Sequence, residues 1–274
     1  MGDLIDLSDW TREDLTALFA SADGYAQGRA ARHEGAVGFV GLGGVEAVAF
    51  ERAAVLLGLQ PIHCGPAMVH STPLGLVDFA TQIADWLDVL VVCEPEQGDI
   101  EQAAAAVAVP VVNAGCAQAR PCELLGELHA LHRMGRDPFT QRIVLVGPNG
   151  PAVRSWAQAA RAFGLDLVQS CPDELADPGL VHDPNLFAAL RGADLVITVE
   201  PGEYAEQMAP YRVEPEYLVV GAPDCRVSPQ VPFEWGRELA TQLREDPHSW
   251  VGPHFRAQLV ALDQAILARS LATS

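Results

Sequence analysis

Short apolar runs of four or five residues alternate with stretches of helical spacing along almost the whole chain, and this alternation restricts the fold more than any other feature. Residues 36–40 run into Gly41-Leu42-Gly43-Gly44 and then into a helical pattern carrying Phe50, Ala53, Ala54 and Leu57, stopped by Gly58. Residues 60–63, 89–93 and 109–113 read as further strands, 76–86, 100–107 and 121–134 as helices, and 65–75 as loop. Strands alternating with helices in this way form parallel sheets with helices on their faces. After Gly135-Arg136-Asp137-Pro138 the pattern restarts, with strands at 142–146, 165–168, 195–198 and 217–220 and helices at 153–163 and 186–190. Near the amino terminus Ser8 or Asp9 is placed to cap a helix beginning at Trp10, with Leu15, Leu18 and Phe19 on one face. Residues 253–270 form a last amphipathic helix, free to return to the first half. The 274 residues therefore divide into an α/β domain of residues 1–136 plus 248–274 and a second of residues 137–247.

Charge excludes several functions. The 36 acidic and 17 basic residues give a net charge of −19, and every basic residue is Arg, because the sequence contains no Lys. A P-loop needs a Lys, and so does a Schiff-base or pyridoxal enzyme. Contacts to nucleic-acid phosphates are not expected of so acidic a chain without a basic run. No apolar run reaches the ~18 residues of a membrane span. Met1-Gly2-Asp3 is acidic where a secretory leader is basic. The cysteines at 64, 93, 116, 122, 171 and 225 form no C-x-x-C pair, so neither a zinc knuckle nor a redox dithiol is indicated. The sequence reads as a cytoplasmic chain with reduced thiols, with no cofactor and no metal, and with no nucleic acid or membrane among its partners.

In an open parallel sheet, ligands bind beyond the carboxyl ends of the strands. The loops read there carry Glu46, His70, Cys93, Glu94, Cys116, Arg120, Cys122, Glu123, Asn149, Glu200, Asp224, Cys225 and Arg226. Several of these have plain structural readings. The Gly41-x-Gly43 turn has Glu46 where a dinucleotide fingerprint has its third Gly, so it reads as turn chemistry. Cys93, Cys122 and Cys225 are either small buried residues or a thiol nucleophile or soft metal site. His63 and His70 have no metal-ligand spacing, and partial burial accounts for His129 and His132 on one helix. Arg120 and Arg226 either pair with Glu46 and Glu123 or hold a substrate carboxylate with two N–H groups.

The order of these segments resembles the aspartate and ornithine carbamoyltransferases. Val109-Pro110-Val111-Val112-Asn113-Ala114-Gly115 is similar to the family's V-P-V-I-N-A-G. Arg120-Pro121-Cys122-Glu123 stands where the family has His-Pro-x-Gln at the start of a helix. Ala49-Phe50-Glu51-Arg52-Ala53-Ala54 followed by Leu57-Gly58 is similar to S-F-E-x-A-x-x-x-L-G. Asp78 and Trp86-Leu87-Asp88 resemble the marks of the next helix. Residues 147–155 take the place of the second-substrate loop, and Ala222-Pro223-Asp224-Cys225-Arg226 that of H-P-L-P-R. The resemblance implies an α/β fold of two doubly wound parallel-sheet domains of carbamoyltransferase type, linked by helices. It also implies a small-molecule metabolite as ligand and a homotrimer, in which the loop ahead of residue 76 reaches a neighbouring subunit.

The departures fall on the residues that do the family's chemistry. The phosphate-binding S-T-R-T-R is Gly43-Gly44-Val45-Glu46-Ala47 here, with both Arg and both hydroxyls gone and a carboxylate added at a helix amino end. The Arg that ends the next strand is Cys93, and the loop containing Ser71-Thr72-Pro73 offers no Lys. The His that polarises the carbamoyl carbonyl is Arg120, the Gln beside it is Glu123, and the late-loop His is Ala222. The sequence therefore leaves two readings open. One is an enzyme of altered chemistry, with Arg120, Glu123 and Cys122 as catalytic residues and Gly43, Gly44, Glu46, Cys93, Asn149, Asp224, Cys225 and Arg226 binding an amino-acid-like or carbamoyl- or ureido-bearing metabolite without carbamoyl phosphate. The other is an inactive homologue with a structural or regulatory role.

Overall fold

The apolar runs of the first half become the strands of one parallel sheet. The computed structural model describes residues 2–29, 32–69, 75–246 and 256–272. The strands are β1 (Ala36–Val40), β2 (Gln60–Cys64), β3 (Val89–Cys93) and β4 (Val111–Gly115), in the order β2-β1-β3-β4 with every neighbour parallel. Val37, Val40, Val89, Val91 and Val92 are fully buried, as the strands of a parallel sheet covered on both faces must be. Pro61 lies in β2, at the edge, where a missing ladder N–H is tolerated. The helices are α1 (Arg12–Ala26), α2 (Gly44–Leu57), α3 (Pro66–Val69), α4 (Leu76–Ile83), α5 (Gln97–Ala106) and α6 (Pro121–Arg133).

Two expectations are corrected here. The cap of α1 is Thr11, which forms a reciprocal capping box with Asp14: the Asp14 N–H donates to Thr11 Oγ1 at 3.1 Å and the Thr11 N–H to Asp14 Oδ2 at 3.0 Å. Ser8 and Asp9 belong to the turn before it, where the Ser8 N–H donates to Asp6 Oδ1. Within the stretch 65–75 read as loop, Pro66–Val69 is a helical turn.

The second half builds its own sheet from β5 (Arg142–Val146), β6 (Asp166–Ser170), β7 (Val181–His182), β8 (Leu195–Thr198) and β9 (Arg226–Pro229), again all parallel, in the order β7-β6-β5-β8-β9. Between them run α7 (Pro151–Phe163), α8 (Leu186–Ala189), α9 (Ala205–Met208) and α10 (Pro215–Leu218). Trp156 and Phe163 of α7 are fully buried. The strand expected at 217–220 is not there. Pro215 presets the first turn of α10, so Tyr217, Leu218 and Val220 pack half-buried against the core from a helical turn and its exit, while Val219 is 82% exposed. The last strand is β9 instead, whose buried Val227 lies against Val196 of β8.

The chain forms two compact units, Met1–Arg133 with Ala257–Ser274, and Met134–Arg256. The C-terminal helix α11 (Leu259–Leu271) belongs to the first, where it packs on α1, α2 and α6. Each sheet has one point at which successive strands pass to opposite sides, between β1 and β3 in the first unit and between β5 and β8 in the second. The crevice at the carboxyl end of such a point is where open α/β sheets bind ligands.

Candidate functional site

At the switch point of the first unit the chain makes a turn that only glycine permits. Gly41 has φ +68°, and a Cβ there would overlap the carbonyl oxygen of Cys93 at the end of β3. The missing side chain lets the β1 turn lie directly on the end of β3. Gly43 then caps α2 with extended backbone, and Gly44 opens the helix with φ +68°. A Cβ on Gly44 would stand 3.3 Å from Glu46 Oε2, so the Glu46 carboxylate folds back over the amino end of its own helix. The negative charge is well placed on the helix dipole.

Arg120 and Glu123 enter the same edge from the start of α6. Their side chains meet at 3.5 Å, Arg120 Nη1 donating to Glu123 Oε2, with Arg120 40% and Glu123 15% exposed. A Cβ on Gly115, at the end of β4, would lie 3.8 Å from Cys93 Sγ and 3.9 Å from Arg120 Cγ, which puts those two side chains next to each other. Burial raises the Glu123 carboxyl from 4.5 to about 7; Arg120 opposes the rise and Glu46 adds to it. Glu123 therefore changes charge near neutrality, in the range a general acid or base needs. Cys93 is partly buried and its thiol is raised, by burial first, against the pull of Arg120.

Cys122 is corrected as a catalytic candidate. Its Sγ is buried and donates to the Asn113 carbonyl at 3.3 Å, and burial, helped by Asp263 and Cys93, pushes the thiol well above its ordinary range. A thiol held protonated by a backbone acceptor is a packing group, not a nucleophile. Asn113 is likewise committed to the backbone, its Nδ2 donating to the Ile5 carbonyl at 2.8 Å and its Oδ1 accepting from the Gly115 N–H at 2.9 Å.

Asp263, on α11, is the residue that sequence reasoning missed. It is 3% exposed, and burial and then Glu46 push its carboxyl well above the ordinary range. Its carboxyl also helps to raise the buried Cys122 thiol of α6. The signal was an Asp-Gln pair inside a run, residues 259–268, otherwise built of Leu, Val, Ala and Ile.

In the second unit Asn149 occupies the loop after β5, at the carboxyl edge. Its N–H donates to the Leu175 carbonyl at 2.7 Å and its Oδ1 accepts from Arg154 Nη1 at 3.4 Å. The switch point between β5 and β8 opens into a pocket of about 150 Å³, whose walls include Val146, Thr198, Met208, Tyr211, Arg212, Arg237 and Glu238. Arg237 is tied to Glu238 at 2.8 Å and Glu234 at 3.3 Å, and Thr198 Oγ1 is buried without a hydrogen-bond partner. None of these was singled out from sequence, although Glu200, 3.9 Å from Arg237, was.

Asp224, Cys225 and Arg226 are corrected outright. Arg226 is the first residue of β9 and pairs with Leu195, the first of β8, so all three lie at the amino edge of the sheet, away from the crevice. The Arg136 guanidinium holds the carbonyls of Asp194 and Asp224 there, and Arg226 Nη1 donates to the Cys225 carbonyl at 3.4 Å. Burial pushes the Cys225 thiol up to about 11. The residues that leave β9 at its carboxyl end are Gln230, Val231 and Pro232. His70 and Ser71-Thr72-Pro73 lie outside the described residues. Among the described residues no group of three or more His, Cys, Asp or Glu is arranged to hold a metal ion, and no helix is long and apolar enough to cross a membrane.

No family model matches the chain. Among curated proteins it is 28% identical over 249 residues to the ornithine carbamoyltransferase of Chromohalobacter salexigens, covering 81% of this chain and 80% of that one. It is 26% identical over 235 residues to that of Methanothermobacter thermautotrophicus, covering 74% and 76%. Among solved structures, ornithine carbamoyltransferase from Gloeobacter violaceus superposes with a TM-score of 0.88 at 22% identity over 99% of both chains. The anabolic enzyme of Campylobacter jejuni superposes with a TM-score of 0.90 at 15% identity over 100% of both. The structures carry the fold, and the sequence relatives, similar at 26% and 28% identity over most of the chain, support a member of the aspartate/ornithine carbamoyltransferase family.

Proposed function

We propose that this chain is an enzyme on the carbamoyltransferase scaffold that acts on a small amino-acid-like or carbamoyl- or ureido-bearing metabolite and does not use carbamoyl phosphate. The observation that carries the reading is the Arg120–Glu123 pair, with Glu123 raised to about 7 beside Glu46 at the carboxyl edge of the first sheet. Arg120 holds a carbonyl or carboxylate oxygen, and Glu123 takes or returns the proton of an amine or amide nitrogen. Gly43 and Gly44 bring backbone to the amino end of α2, where the Glu46 carboxylate also lies, and Cys93 stands beside Arg120. A phosphate dianion finds no guanidinium at positions 45, 47 or 93, which hold Val, Ala and Cys.

The assembly belongs to the same reading: a cytoplasmic homotrimer. Its support on this chain is an exposed apolar stripe on α2, where Val45, Val48, Val55 and Leu56 are 43–67% exposed.

The test is thermal-shift screening of α-amino acids, their N-carbamoyl derivatives and simple ureas beside carbamoyl phosphate. Hits are followed by calorimetry and by mass spectrometry for turnover. A ureido or amino-acid ligand whose effect is lost in Arg120→Ala and Glu123→Gln supports the proposal. Binding of carbamoyl phosphate overturns it, and a folded protein that binds nothing in the panel points to the inactive homologue.

A further inference from the structure

We propose that the pocket at the carboxyl ends of β5 and β8 binds a small uncharged molecule, aliphatic over most of its length, whose primary amide or alcohol end meets the Thr198 hydroxyl. The inference goes beyond the Arg120–Glu123 reading and stands on the second unit alone, so either can fail without the other. Among the described residues, none of 147–155, the segment that resembles the family's second-substrate loop, lines this pocket.

The walls are tied together by backbone. At the switch point the Val199 N–H donates to the Val146 carbonyl at 2.9 Å and the Gln230 N–H to the Thr198 carbonyl at 2.9 Å. Across the pocket, the Val213 N–H donates to the Glu238 carbonyl at 3.0 Å and Arg212 Nη1 to the Gly236 carbonyl at 3.1 Å. The space enclosed is about 150 Å³. A cavity of that size holds roughly six non-hydrogen atoms, as in a benzene ring. Val199, Pro201, Ala205 and Met208 supply apolar wall. Thr198 is the polar exception: it is 1% exposed, and its Oγ1 has no hydrogen-bond partner. A buried hydroxyl left unpaired is costly, and a ligand that pairs with it removes that cost. The two branches of a threonine exchange by rotation about χ1, so the hydroxyl can face a molecule that fills the pocket.

The charged groups beside the pocket select against ions. Arg237 is answered by Glu238 at 2.8 Å, Glu234 at 3.3 Å and Glu200 at 3.9 Å, and Arg212 by Glu214 at 2.6 Å. Two guanidiniums thus face four carboxylates, and a ligand carboxylate would meet a surplus of its own charge. An ammonium fares no better. The Glu238 side chain, 4% exposed, already accepts from Arg237 and from the Glu234 N–H at 2.9 Å, so an entering cation would leave water for apolar walls and one hydroxyl. A neutral amide or alcohol avoids both costs. It can donate to or accept from the threonine hydroxyl, while its alkyl part covers the apolar wall.

Saturation-transfer NMR on the full chain at pH 7.5 tests this, with butanamide and pentan-1-ol as neutral ligands, butyrate and butylammonium as ions, and benzene as an apolar molecule of similar size. Each is titrated in the millimolar range. The expected result is saturable binding of the amide or the alcohol, weaker binding of benzene, and none of either ion. Ala205→Leu fills the space and should lower the affinity at least about tenfold. Thr198→Val removes only the hydroxyl and should lower it about three- to tenfold. Glu216→Gln, an exposed residue of the same unit, should leave it unchanged. Circular dichroism checks that the variants fold. A second readout needs no ligand: because the hydroxyl has no partner, Thr198→Val should melt no lower than the wild type. Failure of both neutral ligands to bind overturns the inference, as does an ion or benzene binding as tightly as they do. Equal affinity in folded Thr198→Val, or a lower melting temperature for that variant, overturns it as well.

Discussion

Replacing Gly41 by Ala should destabilise the protein by about 2–5 kcal/mol, and the reason is local. A non-glycine residue at φ +68° costs roughly 1–2 kcal/mol. The new Cβ would also lie on the Cys93 carbonyl oxygen and 3.2 Å from its carbon. Backbone cannot rotate out of the way as a side chain does, so the ends of β1 and β3 must separate. Overpacking of this kind costs typically 1–3 kcal/mol. Gly43→Ala, two residues on, is the internal control. Its φ is −146°, no atom lies within 4 Å of the added Cβ, and its loss as a helix cap is worth about 1 kcal/mol or less. Urea unfolding followed by circular dichroism measures both. With a slope of about 2 kcal/mol per molar, the Gly41→Ala midpoint falls by roughly 1–2.5 M and that of Gly43→Ala by about 0.5 M or less. Equal midpoints for the two variants would refute the reasoning that Gly41 is required by the close approach of β1 to β3.

Further predictions concern titration, an ion cluster and thiols. Glu123 has a folded value near 7 against 4.5 unfolded, so its protonated form favours the fold and that stability is lost as the pH rises from about 4.5 to 7. Glu123→Gln should therefore match the wild type near pH 4.5 and exceed it above pH 7, by on the order of 3 kcal/mol at most at ~1.4 kcal/mol per unit, read from thermal melts at both pH values; a constant difference across the range would contradict the assignment. Asp23 accepts from His129 at 3.2 Å, His132 at 2.9 Å and Arg133 at 3.3 Å, so Asp23→Asn should cost about 1–3 kcal/mol at pH 7.5 in chemical unfolding. Burial lowers His129 despite the pull of Asp23, so its share of stability is present above pH ~6.5 and lost as the pH falls, and His129→Gln should flatten that acid limb. Burial holds the Cys122, Cys171 and Cys225 thiols protonated, so iodoacetamide at pH 7.5 should label them in urea and leave them unmodified in the native protein, as peptide mass spectrometry would record.

Strand β3 was legible because Val-Leu-Val-Val-Cys has no other way to bury four adjacent apolar side chains. Strand β9 was hidden because Arg-Val-Ser-Pro offers one buried aliphatic side chain and no period, while the more apolar run at 217–220 drew attention to itself. That single displacement carried Asp224, Cys225 and Arg226 to the wrong edge of the sheet. Glu46, Cys93, Arg120 and Glu123 were legible as one group because strand–helix order alone decides which residues reach a carboxyl edge. Asp263 was not, since only the packing of α11 against α1, α2 and α6 buries it, from the far end of the sequence. The pocket lined by Thr198, Arg237 and Glu238 draws most of its wall from turns and single helical turns between residues 199 and 238, which leave no periodic trace.

The most direct measurement of the central claim is calorimetric titration of the chain with millimolar carbamoyl phosphate, alone and with ornithine or aspartate present. A phosphate dianion in a site of the family's kind needs several charge-assisted hydrogen bonds of roughly 1.5–3 kcal/mol each. Val45, Ala47 and Cys93 supply none, and Glu46 over the amino end of α2 repels the ligand. The helix dipole offers only ~0.3–1 kcal/mol against that loss. The account predicts no saturable heat. Saturable binding with a sub-millimolar dissociation constant, or phosphate released when the amino acid is added, would contradict it.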